Sequence, residues 1–155
     1  MTDIRITRDY PHSRAKVWRA LTDPALIALW AMRPEGFAPV VGTRCRFVGK
    51  PQRGWRGFVE CEVLEVKAPE TLRYSWIGNE GEAPTYVRYT LEERAGGTRL
   101  VFEHTGFRGA GGFLLARLVM GPGWKKTFDG TLPPVLADLD EHSALRPESA
   151  LRPQF

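Results

Sequence analysis

The chain has 155 residues, of which 43% are apolar and 26% are charged, and its formal net charge is +4. This length suffices for one domain with a sizeable core and is short for two. The charge is mild, and arginines are scattered from Arg5 to Arg152, whereas nucleic-acid binding requires clustered cations. We therefore predict a globular protein without a nucleic-acid partner.

The hydropathy pattern predicts no membrane-spanning segment. The longest apolar stretch, around Phe113–Met120, is interrupted by Arg117 and falls well short of the roughly 20 residues that a spanning helix needs. The N-terminal residues contain no apolar stretch of signal-peptide length. The sequence therefore predicts a cytoplasmic protein without a membrane partner.

Neither a disulfide framework nor a metal site is predicted. Cys45 and Cys61 both fall in strand-like runs, and the sequence has no CxxC motif. The three histidines, His12, His104 and His142, are too few and too scattered to indicate a structural zinc site. We expect two reduced, semi-buried thiols, no metal and no cofactor.

The chain begins with a strand pattern followed by two short helix patterns. Ile4–Tyr10 alternates between apolar and polar residues, which is typical of a strand. Ser13 is a favourable N-cap for a helix over Ala15–Leu21. Asp23, which precedes a proline, is a favourable N-cap for a second helix over Ala25–Trp30.

Five strand-like runs follow an irregular crossing that is marked by Pro34, Gly36 and Pro39. The connections between the runs are short, so neighbouring strands should be antiparallel. Val63 and Leu64 are consecutive apolar residues, and a bulge there would invert part of the alternation. The predicted strands are Thr43–Val48, Gly57–Val66, Thr71–Ile77, Tyr86–Glu93 and Thr98–Thr105.

The C-terminal part of the chain predicts helix. The glycine-rich stretch Gly106–Gly112 precedes a short helix over Phe113–Met120, which Gly121-Pro122-Gly123 is expected to break. From Trp124 onwards, apolar residues recur at helical spacing as far as Leu139. We therefore predict a long final helix that opens at Trp124.

Two features near the C-terminus complicate this helix. Pro133 and Pro134 fall inside the apolar stripe, and we expect a kink or a break there because proline removes a helical hydrogen bond. Residues 142–155 are polar and are expected to fray. The predicted organisation is a single domain over residues 1–141 followed by this tail.

Four motifs, in this order and spacing, resemble the SRPBCC (START-like) superfamily. The closest group is the one named after the activator of the heat-shock-protein-90 ATPase. The resemblance covers about residues 4–141. The motifs are Val17–Pro24 with Leu29-Trp30, Val63–Leu72 with Tyr74-Ser75-Trp76, Gly97–Phe107, and Gly123-Trp124 at the start of the final helix.

The resemblance implies a helix-grip fold of the α+β class. In this fold a curved antiparallel sheet of about six or seven strands wraps a long C-terminal helix, and two short helices follow the first strand. The predicted elements agree with that order independently. The superfamily includes binders of apolar ligands, cyclases and dehydratases of aromatic polyketides, and chaperone-activating domains, and the fold does not choose among them.

The resemblance also implies a cavity between sheet and helix, and aromatic residues fall where they would line it. Strand alternation places five of the candidates on the concave face, two lie on the final helix, and two lie near the expected mouth. The alternative interpretation is ordinary core packing, since aromatic residues dominate many cores. The candidate ligand-binding residues are Trp30, Phe37, Tyr74, Trp76, Tyr89, Phe102, His104, Trp124 and Phe128.

His104 is the one histidine that the pattern places on the concave face. An imidazole there has a pKa suited to general acid or base work, but a hydrogen-bonded core or rim histidine is the commoner case and the favoured interpretation. The nearest acidic partners, Glu60 and Glu62, are expected to face solvent because Val59, Cys61 and Val63 form the inward set. We therefore assign no catalytic residue.

The favoured interpretation is a START-like protein that binds a small hydrophobic or aromatic molecule in an internal apolar cavity and is not an enzyme. One alternative is an enzyme like a polyketide cyclase or dehydratase. The other is a stress-response module that interacts with a chaperone. A monomer and a homodimer both remain compatible with the sequence.

Overall fold

Seven antiparallel strands form one sheet in the computed structural model, which describes residues 2–155. The strands are β1 (Thr2–Tyr10), β2 (Arg33–Glu35), β3 (Arg44–Val48), β4 (Phe58–Lys67), β5 (Thr71–Trp76), β6 (Thr85–Arg94) and β7 (Gly97–Phe107). Their order in the sheet is β1-β7-β6-β5-β4-β3-β2. Strands β2 to β7 therefore pair with their chain neighbours, and β1 forms the edge of the sheet beside β7.

The two helices after β1 begin where the caps predict. In α1 (Arg14–Thr22), the Ser13 hydroxyl accepts a hydrogen bond from the Lys16 amide at 3.2 Å. In α2 (Pro24–Trp30), the Asp23 carboxylate accepts one from the Ala25 amide at 2.9 Å. These caps satisfy backbone donors that have no partner inside the helix.

The C-terminal helical segment runs without a break over residues 109–137. It contains α3 (Gly109–Leu115), a first π turn (Ala116–Met120), α4 (Gly121–Lys126), a second π turn (Thr127–Thr131) and α5 (Leu132–Ala137). No helix among residues 2–155 is both long and apolar enough to cross a bilayer.

The break predicted at Gly121-Pro122-Gly123 is wrong. At Pro133-Pro134, where a kink or a break is predicted, the helix does not break, and the π turns give the reason. Gly121-Pro122-Gly123 lies inside helix, in the first turn of α4, where the missing proline donor is tolerated. Pro133 and Pro134 lie in the first turn of α5, directly after the second π turn. In that turn the Leu132 amide already donates to the Thr127 carbonyl, five residues back. The wider turn accommodates the prolines, so the helix changes its hydrogen-bond register and does not end.

The sheet grips the second half of this segment. Phe128, Leu132, Val135 and Leu136 are fully buried and belong to one core cluster with the inward residues of the sheet. Burial of each such side chain contributes roughly 1.5–3 kcal/mol. This arrangement confirms the α+β helix-grip fold.

Two details of the sheet bear on the sequence predictions. A register shift between Val63 and Glu65 confirms the bulge alternative for β4. The sequence pattern does not predict strand β2, because Pro34 argues against a strand. In the structure Pro34 pairs with Phe47 of β3, and β2 is an edge strand, where a proline is tolerated.

The C-terminal tail, for which the sequence predicts fraying, lies against the domain. Leu145 and Leu151 pack on the core, and Leu145 forms a bridge with Leu139. The Gln154 amide donates to the Ala28 carbonyl at 2.9 Å, which attaches the tail to α2. Fraying in solution stays a prediction.

Candidate functional site

Eight of the nine candidate residues meet between the concave face of the sheet and the C-terminal helical segment. Their rings form a continuous series of contacts in which Phe47 joins Phe37 to Tyr74, at centroid distances of 5.8 and 5.6 Å. Phe102 contacts Trp124 at 4.5 Å on the helix side. We call these eight residues and Phe47 the aromatic cluster. Its members are Phe37, Phe47, Tyr74, Trp76, Tyr89, Phe102, His104, Trp124 and Phe128.

Trp30 stands apart from these ring contacts in the described part of the chain. Its indole N–H donates to the Ala20 carbonyl at 2.8 Å, and its own carbonyl accepts from the Thr131 hydroxyl at 2.7 Å. Trp30 therefore ties α1, α2 and the second π turn together. Phe47 was not predicted as a site residue, although alternation along β3, in which Cys45 and Phe47 are buried, carried the signal.

His104 is held by two hydrogen bonds that define its tautomer. The Trp124 indole N–H donates to His104 Nδ1 at 3.1 Å. Because an indole only donates, Nδ1 carries the lone pair and Nε2 carries the proton. His104 Nε2 therefore donates to the Thr85 hydroxyl at 2.7 Å. The Thr85 hydroxyl in turn donates to the Trp76 carbonyl at 3.3 Å, which completes a chain from helix to sheet.

This environment keeps the imidazole neutral. Burial lowers the pKa of His104 to about 3, and a proton on Nδ1 would face the indole N–H. No lone pair of the ring is free to accept a proton while Trp124 is in place. The geometry thus makes His104 a hydrogen-bonded structural group in this conformation.

A second polar pair lies deeper in the cluster. The hydroxyl groups of Tyr74 and Tyr89 are 3.0 Å apart, and both side chains are buried. Burial raises the pKa of both phenols. Cys45 and Cys61 are free and lie opposite each other on β3 and β4, and burial raises the pKa of the Cys61 thiol. The two phenols are therefore neutral and can orient a polar atom of a ligand without supplying charge.

Two indoles of the cluster lie close to the surface. The Trp76 and Trp124 rings are 5.4 Å apart and keep 9% and 8% of their surface exposed, whereas Phe102 and Phe128 are fully buried. Phe107 packs on His104 at 4.6 Å beside them. The two indoles therefore lie at the boundary between the cluster and solvent.

Two surface depressions lie elsewhere. One, of about 390 Å³, is lined by charged residues and the two cysteines on β3 and β4. The other, of about 320 Å³, lies between residues 11–14 and 93–97. Neither is lined by a cluster residue, so the predicted internal cavity stays a prediction. Among residues 2–155 no group of three or more His, Cys, Asp or Glu residues is placed to hold a metal ion.

The curved seven-stranded sheet closed on a C-terminal helix, with an aromatic interior, defines a helix-grip protein of the SRPBCC class. Residues 11–132 match the sequence model described as activator of Hsp90 ATPase homolog 1-like protein. The chain therefore belongs to that family. No protein in the curated set matches the chain significantly.

Solved structures extend the comparison. Protein MLL2253 from Mesorhizobium loti is 32% identical, with a TM-score of 0.78 over 89% of this chain and 98% of that one. CalU16 from Micromonospora echinospora is 25% identical, with a TM-score of 0.71 over 91% and 78%. The Aha1 dimer from Colwellia psychrerythraea, at 23% identity and a TM-score of 0.70 over 88% and 96%, shares the fold.

Proposed function

We propose that this protein binds a small apolar or aromatic molecule between the concave face of the sheet and α4, without transforming it chemically. The observation that carries this proposal is the pair of π turns, Ala116–Met120 and Thr127–Thr131, on either side of α4. Such turns are rare and concentrate at functional sites. Because they interrupt the regular hydrogen-bond ladder on both sides, α4 can shift with little loss of helix.

Trp124 is the residue that such a shift would move. It covers Phe102 and occupies His104 Nδ1. Its displacement would open an apolar surface formed by Trp76, Phe102 and Phe128, and would leave the imidazole lone pair as a hydrogen-bond acceptor. The preferred ligand is therefore a planar aromatic molecule with one O–H or N–H donor. Its ring would cover Phe102 and its donor would bond to His104 Nδ1, as the Trp124 indole does.

Binding has more support in the site than catalysis. A general base at His104 would need a pKa near neutrality, whereas burial lowers the pKa of His104 to about 3. Glu60 lies on the exposed face of β4, where it pairs with Arg56 at 2.9 Å. The alternative function, interaction with a chaperone, is supported only by membership of the family, because the contacts within the aromatic cluster neither favour nor oppose it.

Native mass spectrometry of the purified protein, compared with the same sample after denaturation, tests this proposal. A non-covalent mass that is lost on denaturation supports it and gives the ligand's mass. If the protein is bare, titration with 1-naphthol should quench tryptophan fluorescence with saturation. A bare mass together with no saturable response to 1-naphthol would contradict the proposed function.

A further inference from the structure

The first half of the C-terminal helical segment presents apolar side chains to solvent. Leu114, Leu115, Leu118 and Val119 are spaced i, i+1, i+4 and i+5, so they lie on one side of the helix. Leu118 is 65% exposed and Val119 is 59% exposed. We call these four residues the outer helix face. The opposite side meets the domain through Ala116, which is buried.

The outer helix face lies within a strongly cationic segment. Residues 108–126 contain Arg108, Arg117, Lys125 and Lys126 and no acidic residue, so this segment carries a formal charge of +4, equal to that of the whole chain. All four side chains are exposed. In the part of the chain that the structure describes, none of them forms an ion pair. Asp129, the next acidic residue along the chain, is engaged by Arg8 at 2.6 Å.

We propose that the outer helix face docks on the surface of an anionic phospholipid bilayer. Residues 109–120 form a helix about 18 Å long, which can lie in the plane of the interface with its apolar side among the acyl chains. Arg117 and the two lysines would then reach the phosphate headgroups. This inference goes beyond the proposed ligand binding and revises the sequence-based expectation of no membrane partner.

Charge and shape favour a bilayer over the other occupants. A symmetric contact between two copies would bring one +4 segment against another, which is unfavourable. A peptide helix needs a groove, but residues 109–111 and 122–123 beside the face are themselves exposed and provide no walls. A flat bilayer needs no groove, and its anionic headgroups complement the cations.

Vesicle flotation with the full chain tests the proposal. The protein should float with vesicles of phosphatidylcholine containing about one-third phosphatidylglycerol, should not float with pure phosphatidylcholine, and should be released at about 0.5 M salt. The double substitution Leu118→Ser with Val119→Ser should lower the partition coefficient at least about tenfold. The matched control is Val40→Ser with Val41→Ser, since both valines are about as exposed and lie outside the segment.

Several outcomes would overturn the proposal. One is no flotation of the wild type on the anionic vesicles, and another is equal flotation of the Leu118 and Val119 variant when circular dichroism shows it folded. A dimer in sedimentation that this variant abolishes, without flotation, would assign the face to a second copy. Retention by an acidic amphipathic peptide without flotation would assign it to a protein partner. Loss of flotation on exchange of Lys125 and Lys126 for glutamine would support the bilayer.

Discussion

The hydroxyl group of Tyr10 donates a hydrogen bond to the main-chain carbonyl of Phe128 at 2.8 Å, in the buried centre of the molecule. This carbonyl lies in the second π turn, where the Leu132 amide bonds to Thr127 instead. The residue that would complete the π pattern at Phe128 is Pro133, which has no N–H. Tyr10, from the first strand, thus satisfies an acceptor that the helix itself leaves unpaired.

Replacing Tyr10 by phenylalanine should therefore destabilise the fold. The change keeps the ring but leaves the buried Phe128 carbonyl without a donor, so the free energy of unfolding should fall by about 1–3 kcal/mol. Urea denaturation monitored by tryptophan fluorescence measures this. Tyr86→Phe, at a partly exposed position on β6, is the matched control and should change stability by less than about 0.5 kcal/mol. Equal effects of the two substitutions would contradict the role given to Tyr10.

The neutral state of His104 predicts a pH dependence of stability. Its pKa is about 3 in the folded protein, below the ordinary value of 6.5, so the unfolded chain binds the proton more readily. Stability is therefore fully present above about pH 6.5 and is lost as the pH falls from there towards 3, by up to about 1.4 kcal/mol per pH unit. His104→Gln should remove this contribution to the slope, whereas His142→Gln, at an exposed position, should keep it. Urea titrations at several pH values give the slopes, and an unchanged slope in His104→Gln would refute the assignment.

The paired hydroxyls of Tyr74 and Tyr89 predict energetic coupling. Tyr74→Phe alone leaves the Tyr89 hydroxyl buried without that partner and should cost about 1–3 kcal/mol. The double substitution removes both hydroxyls and should cost less than the sum of the single changes by about 0.5–1.5 kcal/mol. A double-mutant cycle from urea denaturation measures this coupling. Strict additivity would show that the 3.0 Å contact contributes nothing.

Trp124→Phe should change the preference of the proposed binding site. The substitution keeps an aromatic ring but removes the N–H that occupies His104 Nδ1. The free lone pair should then favour 1-naphthol, which has a donor, over naphthalene, which has none, by about tenfold more than in the wild type. Fluorescence titration of both compounds measures the ratio. The control is Trp30→Phe, because Trp30 donates to Ala20 and does not contact His104. If the ratio of the affinities for 1-naphthol and naphthalene is unchanged in Trp124→Phe, the His104 lone pair does not take part in ligand recognition.

The sequence predicts most of the sheet and its inward residues because alternation is a local signal. Tyr74 and His104 each lie between two polar neighbours, and the structure buries both. The pair formed by His104 and Trp124 could not be predicted, since residues 20 positions apart meet only once the sheet closes on the helix. Whether aromatic rings line a cavity or fill it also depends on how far the helix enters the sheet, which no local pattern encodes.

The prolines and glycines of the C-terminal segment misled the sequence prediction for a different reason. Pro122 and Pro133 are unfavourable inside an isolated helix, and the pattern carries no sign that a π turn precedes each of them. Tertiary contacts, such as the hydrogen bond from Tyr10, stabilise those turns. The tail illustrates the same limit, because the attachment of Gln154 to α2 depends on two segments more than 120 positions apart.

Each π turn also sets the angular phase of the helix that follows it. Side chains of a regular α-helix are rotated by about 100° from one residue to the next. A π turn contains an additional residue, so it offsets the side-chain directions of the helix that follows. The outer helix face and the buried stripe from Phe128 to Leu136 can therefore be oriented independently along one uninterrupted helix. Deletion of a single residue in the second π turn would rotate α5 against the sheet while leaving the orientation of α3 unchanged. The two π turns thus set the rotation of one end of the helix relative to the other, so that α5 faces the core while the outer helix face is directed to solvent.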